Sequence, residues 1–304
     1  MEAALIIFRQ TVVMFLYMFA GYILFKTGKM TIKGSKDIAN ILVYVVIPAV
    51  IVNSFCVEYS VSGLAHLAWS FLLSALGIGI AMIIAGVIFR KHPIDNFGCA
   101  FSNAGFVGIP LVQAALGNKA VFYIVALVAL MNMLQGSYGV KVITGERSAV
   151  GLKRLVVNPI FASILIGLIL FLTGTGAHLP DILSSTLEGL SALNAPLAML
   201  VLGSYLAQSD MKKMLTSVHL YWASTVRLII IPAITLIAFG LIGADHSTML
   251  AVFIALSTPM GANVAVYAQL YDGDYPYACQ AVAITTLISI ITLPLMIMLS
   301  SLVI

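Results

Sequence analysis

Phe101-Ser102-Asn103-Ala104-Gly105-Phe106-Val107-Gly108-Ile109-Pro110 lies inside an apolar run from Phe97 to Leu116, long enough to cross a membrane. The run reads badly as one helix. Gly105 and Gly108 each cost ~1 kcal/mol against Ala in a helix interior. Pro110 lacks an N–H, and its ring clashes with the carbonyl of Phe106. Asn103 brings an amide that hydrocarbon cannot satisfy. Irregular backbone at membrane depth persists only where protein buries it or water reaches it. The segment is therefore expected to break near the midplane, through Gly105, Gly108 and Pro110, and to line a cavity. A second stretch, Ser257-Thr258-Pro259-Met260-Gly261-Ala262-Asn263, has the same punctuation. Two interrupted helices at matching positions of two halves point to the binding site of a secondary transporter.

Composition sets the class. The 304 residues are 62% hydrophobic and 9% charged, with a mean hydropathy of +1.11. Such a chain is an all-α polytopic membrane protein, with no polar stretch long enough to fold alone. The net charge of +4 comes from residues in short loops, so no nucleic-acid partner is implied. Cys56, Cys99 and Cys279 are far apart and suggest neither a disulfide framework nor a metal site. The five His residues fall near segment ends or in loops, without metal spacing. The first apolar run follows Glu2 and is not trailed by a small-residue cleavage site, so it reads as a span rather than a cleavable signal.

Ten segments are long enough to span, with approximate cores 5–25, 38–57, 64–89, 95–116, 120–141, 155–173, 182–207, 217–242, 247–271 and 277–302. The seventh carries Ser184, Ser185, Thr186, Glu188 and Ser191 in its first half. Lys26, Lys29, Lys33 and Lys36 follow the first segment, and Arg90 and Lys91 the third. Lys141, Arg147, Lys153 and Arg154 follow the fifth, and Lys212 and Lys213 the seventh. Loops of the other parity hold only Lys119. The positive-inside rule puts the basic loops in the cytoplasm and both termini outside.

The halves look related. Gly21-Tyr22-Ile23-Leu24-Phe25-Lys26-Thr27-Gly28 matches Gly167-Leu168-Ile169-Leu170-Phe171-Leu172-Thr173-Gly174. Pro48 pairs with Pro196 and Pro110 with Pro259, so the three offsets are 146, 148 and 149 residues. Five spans per half require the second half to be inverted. Residues 1–141 are expected to form the first inverted repeat, 142–154 a cytoplasmic linker and 155–304 the second repeat.

At these residues the chain resembles the auxin efflux carrier family, which includes the plant auxin exporters and many bacterial permeases. The resemblance covers the whole length. Gly21 to Gly28 and Leu42 to Pro48 look like its first two helices. Asn103 through Gly108-Ile109-Pro110 looks like its broken fourth helix, Pro259-Met260-Gly261 like its broken ninth, and Thr292-Leu293-Pro294 like its last. The resemblance implies ten helices in a 5+5 inverted repeat, with helices four and nine crossing. It implies an organic anion as cargo, either auxin-like or a small carboxylate. It also implies elevator-type movement and a homodimer through scaffold helices, in the plasma membrane. The large cytoplasmic loop of the long plant carriers is missing here.

Asn103 is the leading candidate for contacting cargo, since its amide can donate to a carboxylate where the helix opens. Asn263 lies one helical turn beyond Pro259 and reads either as a site residue or as helix–helix glue. Gly105 and Gly261 let backbone approach a ligand, or let two helices cross. Ser257 and Thr258 add hydroxyls to the site or to their own helix. Gly108, Pro110 and Pro259 make the breaks. Asn132 and Gln135 share a helix face and line a path or pack against a neighbour. Arg9 and Arg227 are expected to snorkel to the interface, Arg227 because Tyr221 and Trp222 mark it nearby. Neither break is accompanied by an Asp or Glu, which cation-coupled antiporters of similar build need. That weighs against the first rival, a cation-coupled anion symporter. No catalytic set, metal site or phosphate-binding loop is present in the sequence, so no cofactor is expected. An intramembrane enzyme or a membrane receptor remains the rival from another class.

Overall fold

The computed structural model describes residues 2–145 and 159–303, and the side chains from residue 5 onward. Most of the expected linker 142–154, including Arg147, Lys153 and Arg154, lies outside the described residues. Among the described residues, seven helices are long and apolar enough to cross a membrane. They are α1 (Glu2–Lys26), α2 (Ile32–Ser54), α3 (Val61–Ile88), α6 (Asn118–Thr144), α8 (Asp181–Gln208), α10 (Val218–Gly240) and α13 (Tyr275–Ser300). Three shorter apolar helices join them: α5 (Ala104–Leu116), α7 (Pro159–Leu172) and α11 (His246–Leu256). Three further short α-helices lie among the described residues: α4 (Pro93–Ala100), α9 (Met211–Thr216) and α12 (Asn263–Leu270). Among the described residues there is no strand, only one isolated pair between Ser102 and Met260. The chain is a polytopic membrane protein. Its outer faces carry Leu16, Ile83 and Val87, each more than 60% exposed, as a surface solvated by lipid requires.

Prolines interrupt these helices less than the sequence suggests. A wide π turn precedes three of them: Leu42–Val46 before Pro48, Ala104–Gly108 before Pro110, and Val226–Ile230 before Pro232. In each, the closing N–H reaches back five residues: Ile47 to Leu42, Ile109 to Ala104, Ile231 to Val226. The wider turn relieves the clash between the proline ring and the preceding turn. The helix therefore continues through the proline.

The interior is tightest where α1 meets α8. A Cβ on Gly21 would run into the Leu200 backbone, and one on Gly203 into the Met18 carbonyl. Small residues let two backbones approach this closely in a membrane. Gly203→Ala is expected to lower the detergent-solubilised Tm, because overpacking against backbone costs about 1–3 kcal/mol or more. Gly189→Ala on the same helix has open space around its Cβ and is the control. Equal Tm values for the two variants would contradict the close packing. α8 also bends at 192–194. The bend carries buried Asn194 to the α5 turn, where its Nδ2 donates to the Gly105 carbonyl at 3.3 Å.

Candidate functional site

The site grows from the two punctuated stretches. α4 ends at Ala100, and Phe101 is extended (φ −120°, ψ 116°). α11 ends at Leu256, and helix resumes only at Asn263. The two gaps pair with each other. The Asn103 N–H donates to the Pro259 carbonyl at 2.9 Å, and the Gly261 N–H to the Phe101 carbonyl at 3.0 Å. Each gap thus supplies hydrogen bonds that hydrocarbon cannot. The approach needs glycine. A Cβ on Gly261 would lie 3.1 Å from the Ser102 carbonyl, and one on Gly108 3.2 Å from the Ala255 Cα.

The first gap is not where the breakers sit. The non-helical residues are 101–103, whereas Gly105 and Gly108 lie inside the π turn and Pro110 is the second residue of the α-helical run that follows. Gly108 and Pro110 therefore do not break the backbone. Asn103 starts the new helix, and its carbonyl accepts from both Val107 and Gly108. Pro259 does sit inside the second gap, where its carbonyl takes part in the pairing.

A cavity of about 690 Å³ opens in front of the paired gaps. Asn103, Gly105, Gly261 and Asn263 line it, as do Asn132 and Gln135 of α6. The sequence thus named six residues that share one cavity. Ser257, Gly108, Pro110 and Pro259 do not line it. Ser257 is buried with an unpaired hydroxyl, and Thr258 donates to the Ala255 carbonyl at 2.8 Å. Asn263 donates to Gln135 at 2.7 Å, so part of its amide is spent on holding α12 to α6. Asn132 donates to the Val128 carbonyl of its own helix at 2.8 Å. Asn103 differs. It is 5% exposed, and its Nδ2 has no hydrogen-bond partner. Residues Asn103 to Phe106 and Ala262 to Asn263 present the N-terminal ends of α5 and α12 to the same space. At the other end the lining includes Lys36, Gln208 and Tyr275, where Tyr275 Oη donates to Gln208 at 3.0 Å. No Asp or Glu lines the cavity among the described residues. Sequence reasoning missed these three mouth residues, because they come from three elements distant in the chain.

One expectation about charge is overturned. Arg227 does not snorkel: it is 0% exposed. Its Nε donates to the Thr258 carbonyl at 3.0 Å, its Nη1 to the Cys99 carbonyl at 2.9 Å, and its Nη2 to the Leu256 carbonyl. These carbonyls stand at the C-terminal ends of α4 and α11, the ends left without helical partners by the gaps. A buried acidic residue stands in the first turn of α4, at the end away from the gap. Asp95 of α4 is 1% exposed, accepts from Tyr277 at 2.8 Å and lies 2.8 Å from His219 Nε2. With His92 it forms the one group among the described residues that could hold a metal ion, its ligand atoms lying within 4.8 Å of one another. His219 is 124 residues from Asp95, so no local spacing signals the cluster.

Comparison with known proteins agrees with a membrane transporter. An uncharacterized transporter of Methanocaldococcus jannaschii is 24% identical over 277 residues, covering 86% of this chain and 88% of the relative. An uncharacterized transporter of Methanothermobacter thermautotrophicus is 26% identical over 292 residues, covering 90% and 92%. Names of this kind are consistent with a protein that is not an enzyme. The family model described as membrane transport protein matches residues 6–297, and the chain therefore belongs to that family, the auxin efflux carriers.

Proposed function

We propose that this transporter exports an organic anion, an auxin-like or small carboxylate, by elevator-type alternating access. In this reading α4 with α5, and α11 with α12, are each one interrupted span of a ten-span 5+5 inverted repeat. Helices α3–α6 and α10–α13 form the moving body. Helices α1, α2, α7 and α8 form the scaffold and a homodimer interface. The cavity lies between these two sets: residues 32–47 of α2, Ile160, Tyr205 and Gln208 face Asn103, Gln135 and Asn263 across it.

The observation that carries the anion is the unpaired Asn103 Nδ2, buried directly behind the wall of a cavity that no Asp or Glu lines among the described residues. Two helix N-termini flank it, each worth roughly +0.5 elementary charge. Lys36 adds a cation at the mouth. Lys36 and Gln208 adjoin the basic loops that hold Lys33 and Lys212, so the positive-inside orientation opens this cavity to the cytoplasm, as export requires. That orientation has its own test. In a variant lacking native cysteines, single cysteines at 3 and 303 are expected to react with an impermeant maleimide from outside whole cells. Protection of both until lysis would invert the direction. The function itself is tested by uptake of labelled carboxylates into proteoliposomes, after a thermal-shift screen of organic acids, since a ligand of the native state raises apparent stability.

Asp95 favours a second reading, proton-coupled transport through the Asp95–His219 pair. The pair lies outside the cavity lining, which weighs against it. Flux down a substrate gradient is expected to proceed without a sodium or proton gradient at zero potential. Background flux under those conditions, restored by a pH gradient, would replace uniport with coupling.

A further inference from the structure

Arg227 is a fully buried cation with no carboxylate partner among the described residues; the ion pairs there are His66–Asp245, Lys213–Asp210 and His219–Asp95. What balances it is the cage of the Cys99, Leu256 and Thr258 carbonyls. The C-terminal end of a helix carries roughly −0.5 elementary charge. Two such ends meet here, so together they match one guanidinium. Converging carbonyls from interrupted helices are also the ligands that bind alkali cations in other transporters. The same crossing turns its two N-termini toward the cavity and its two C-termini toward Arg227. The anionic cargo and the arginine are thus on opposite poles of one pair of interrupted helices.

We propose that the Cys99, Leu256 and Thr258 carbonyls form a monovalent-cation site permanently filled by the chain's own guanidinium. Truncating Arg227 empties the cage, which then takes a free cation: guanidinium best, because it matches the planar donor geometry, and sodium more weakly. The tethered charge makes a bound coupling ion unnecessary at the crossing. That last clause rests on the transporter reading; the cation site does not.

The test is a thermal-shift series on purified protein in choline chloride, titrated with methylguanidinium at millimolar, non-denaturing concentrations and separately with sodium. Arg227→Ala is expected to lose about 10 °C in apparent Tm and to regain much of it saturably with methylguanidinium. The wild type is expected to show no shift with either cation. Arg227→Gln keeps hydrogen-bond donors without charge and is expected to be as unstable as the alanine variant, while Arg227→Lys keeps most of the stability. An alanine variant indifferent to both cations overturns the site. So does a glutamine variant as stable as wild type, which would make the role one of neutral hydrogen bonding. If the alanine variant cannot be purified in choline alone, its recovery in methylguanidinium supports the site, and the glutamine–lysine comparison decides if neither condition yields protein. A flux arm separates the two readings. Wild type moving no organic anion removes the transport reading and leaves the cage. Wild-type flux with an Arg227→Ala variant deaf to cations does the reverse.

Discussion

Asn103→Ala is expected to weaken cargo affinity by about 10- to 150-fold, the worth of a charge-assisted hydrogen bond of about 1.5–3 kcal/mol. The fold should survive. The bonds that shape this part of the gap come from the Asn103 backbone, whose N–H reaches Pro259 and whose carbonyl takes Val107 and Gly108. Alanine keeps all three. Only the amide is lost, and it makes no hydrogen bond within the protein through Nδ2. Removing an unpaired buried donor from the empty protein costs nothing, so unliganded Tm should hold or rise while ligand-induced stabilisation falls. Asn103→Asp should bind an anion more weakly still, since a like charge then faces it in low dielectric. Thermal-shift titration of wild type and both variants with the best acid from the screen decides. Unchanged affinity in the alanine variant would remove Asn103 from the site.

The second large effect is electrical. A fixed charge on the moving body goes across and returns within one cycle, so buried Arg227 cancels out of the net charge moved. A monoanion carried without a coupling ion leaves its own charge uncancelled. Moving one charge through 100 mV is worth about 2.3 kcal/mol, so an interior negative by that amount should favour export by roughly 50-fold in the equilibrium ratio. Proteoliposomes clamped with potassium and valinomycin measure the ratio. A distribution that ignores the imposed potential would require a compensating ion, and Asp95 with His219 would be the place to look for a proton.

Legibility tracked the range of the forces involved. The apolar runs and the two punctuated stretches were readable because hydropathy and backbone breakers act locally. Asn103 stood out because an amide in a long apolar run has few places to go. The position of the first gap was misread. Pro110 and its glycines are breakers by propensity, but the π turn accommodates the proline, and the gap falls at 101–103, where Met260 offers a partner. That partner is more than 150 residues away, beyond any local rule. Arg227 was misplaced for the same reason. Nearby Tyr221 and Trp222 are exposed, yet carbonyls from α4 and α11 decide where the guanidinium goes. Asp95 was overlooked because its pairing with His219 and Tyr277 spans three separate helices. Lys36 was counted only as a loop charge, although it stands at the cavity mouth.

The two bonds between Asn103 and Pro259 and between Gly261 and Phe101 have a mechanical consequence. They are a seam stitched by backbone alone, so a side-chain substitution reaches it only by crowding, as a Cβ on Gly261 would. Opening it would unpair two donors and two acceptors at once, and any of them left facing apolar surroundings would cost several kcal/mol. A hinge running between the two stretches would have to pass through that seam. Under the proposed alternating access, the cheaper motion leaves the seam closed and shifts everything fastened to it, so the paired stretches would travel as one keystone.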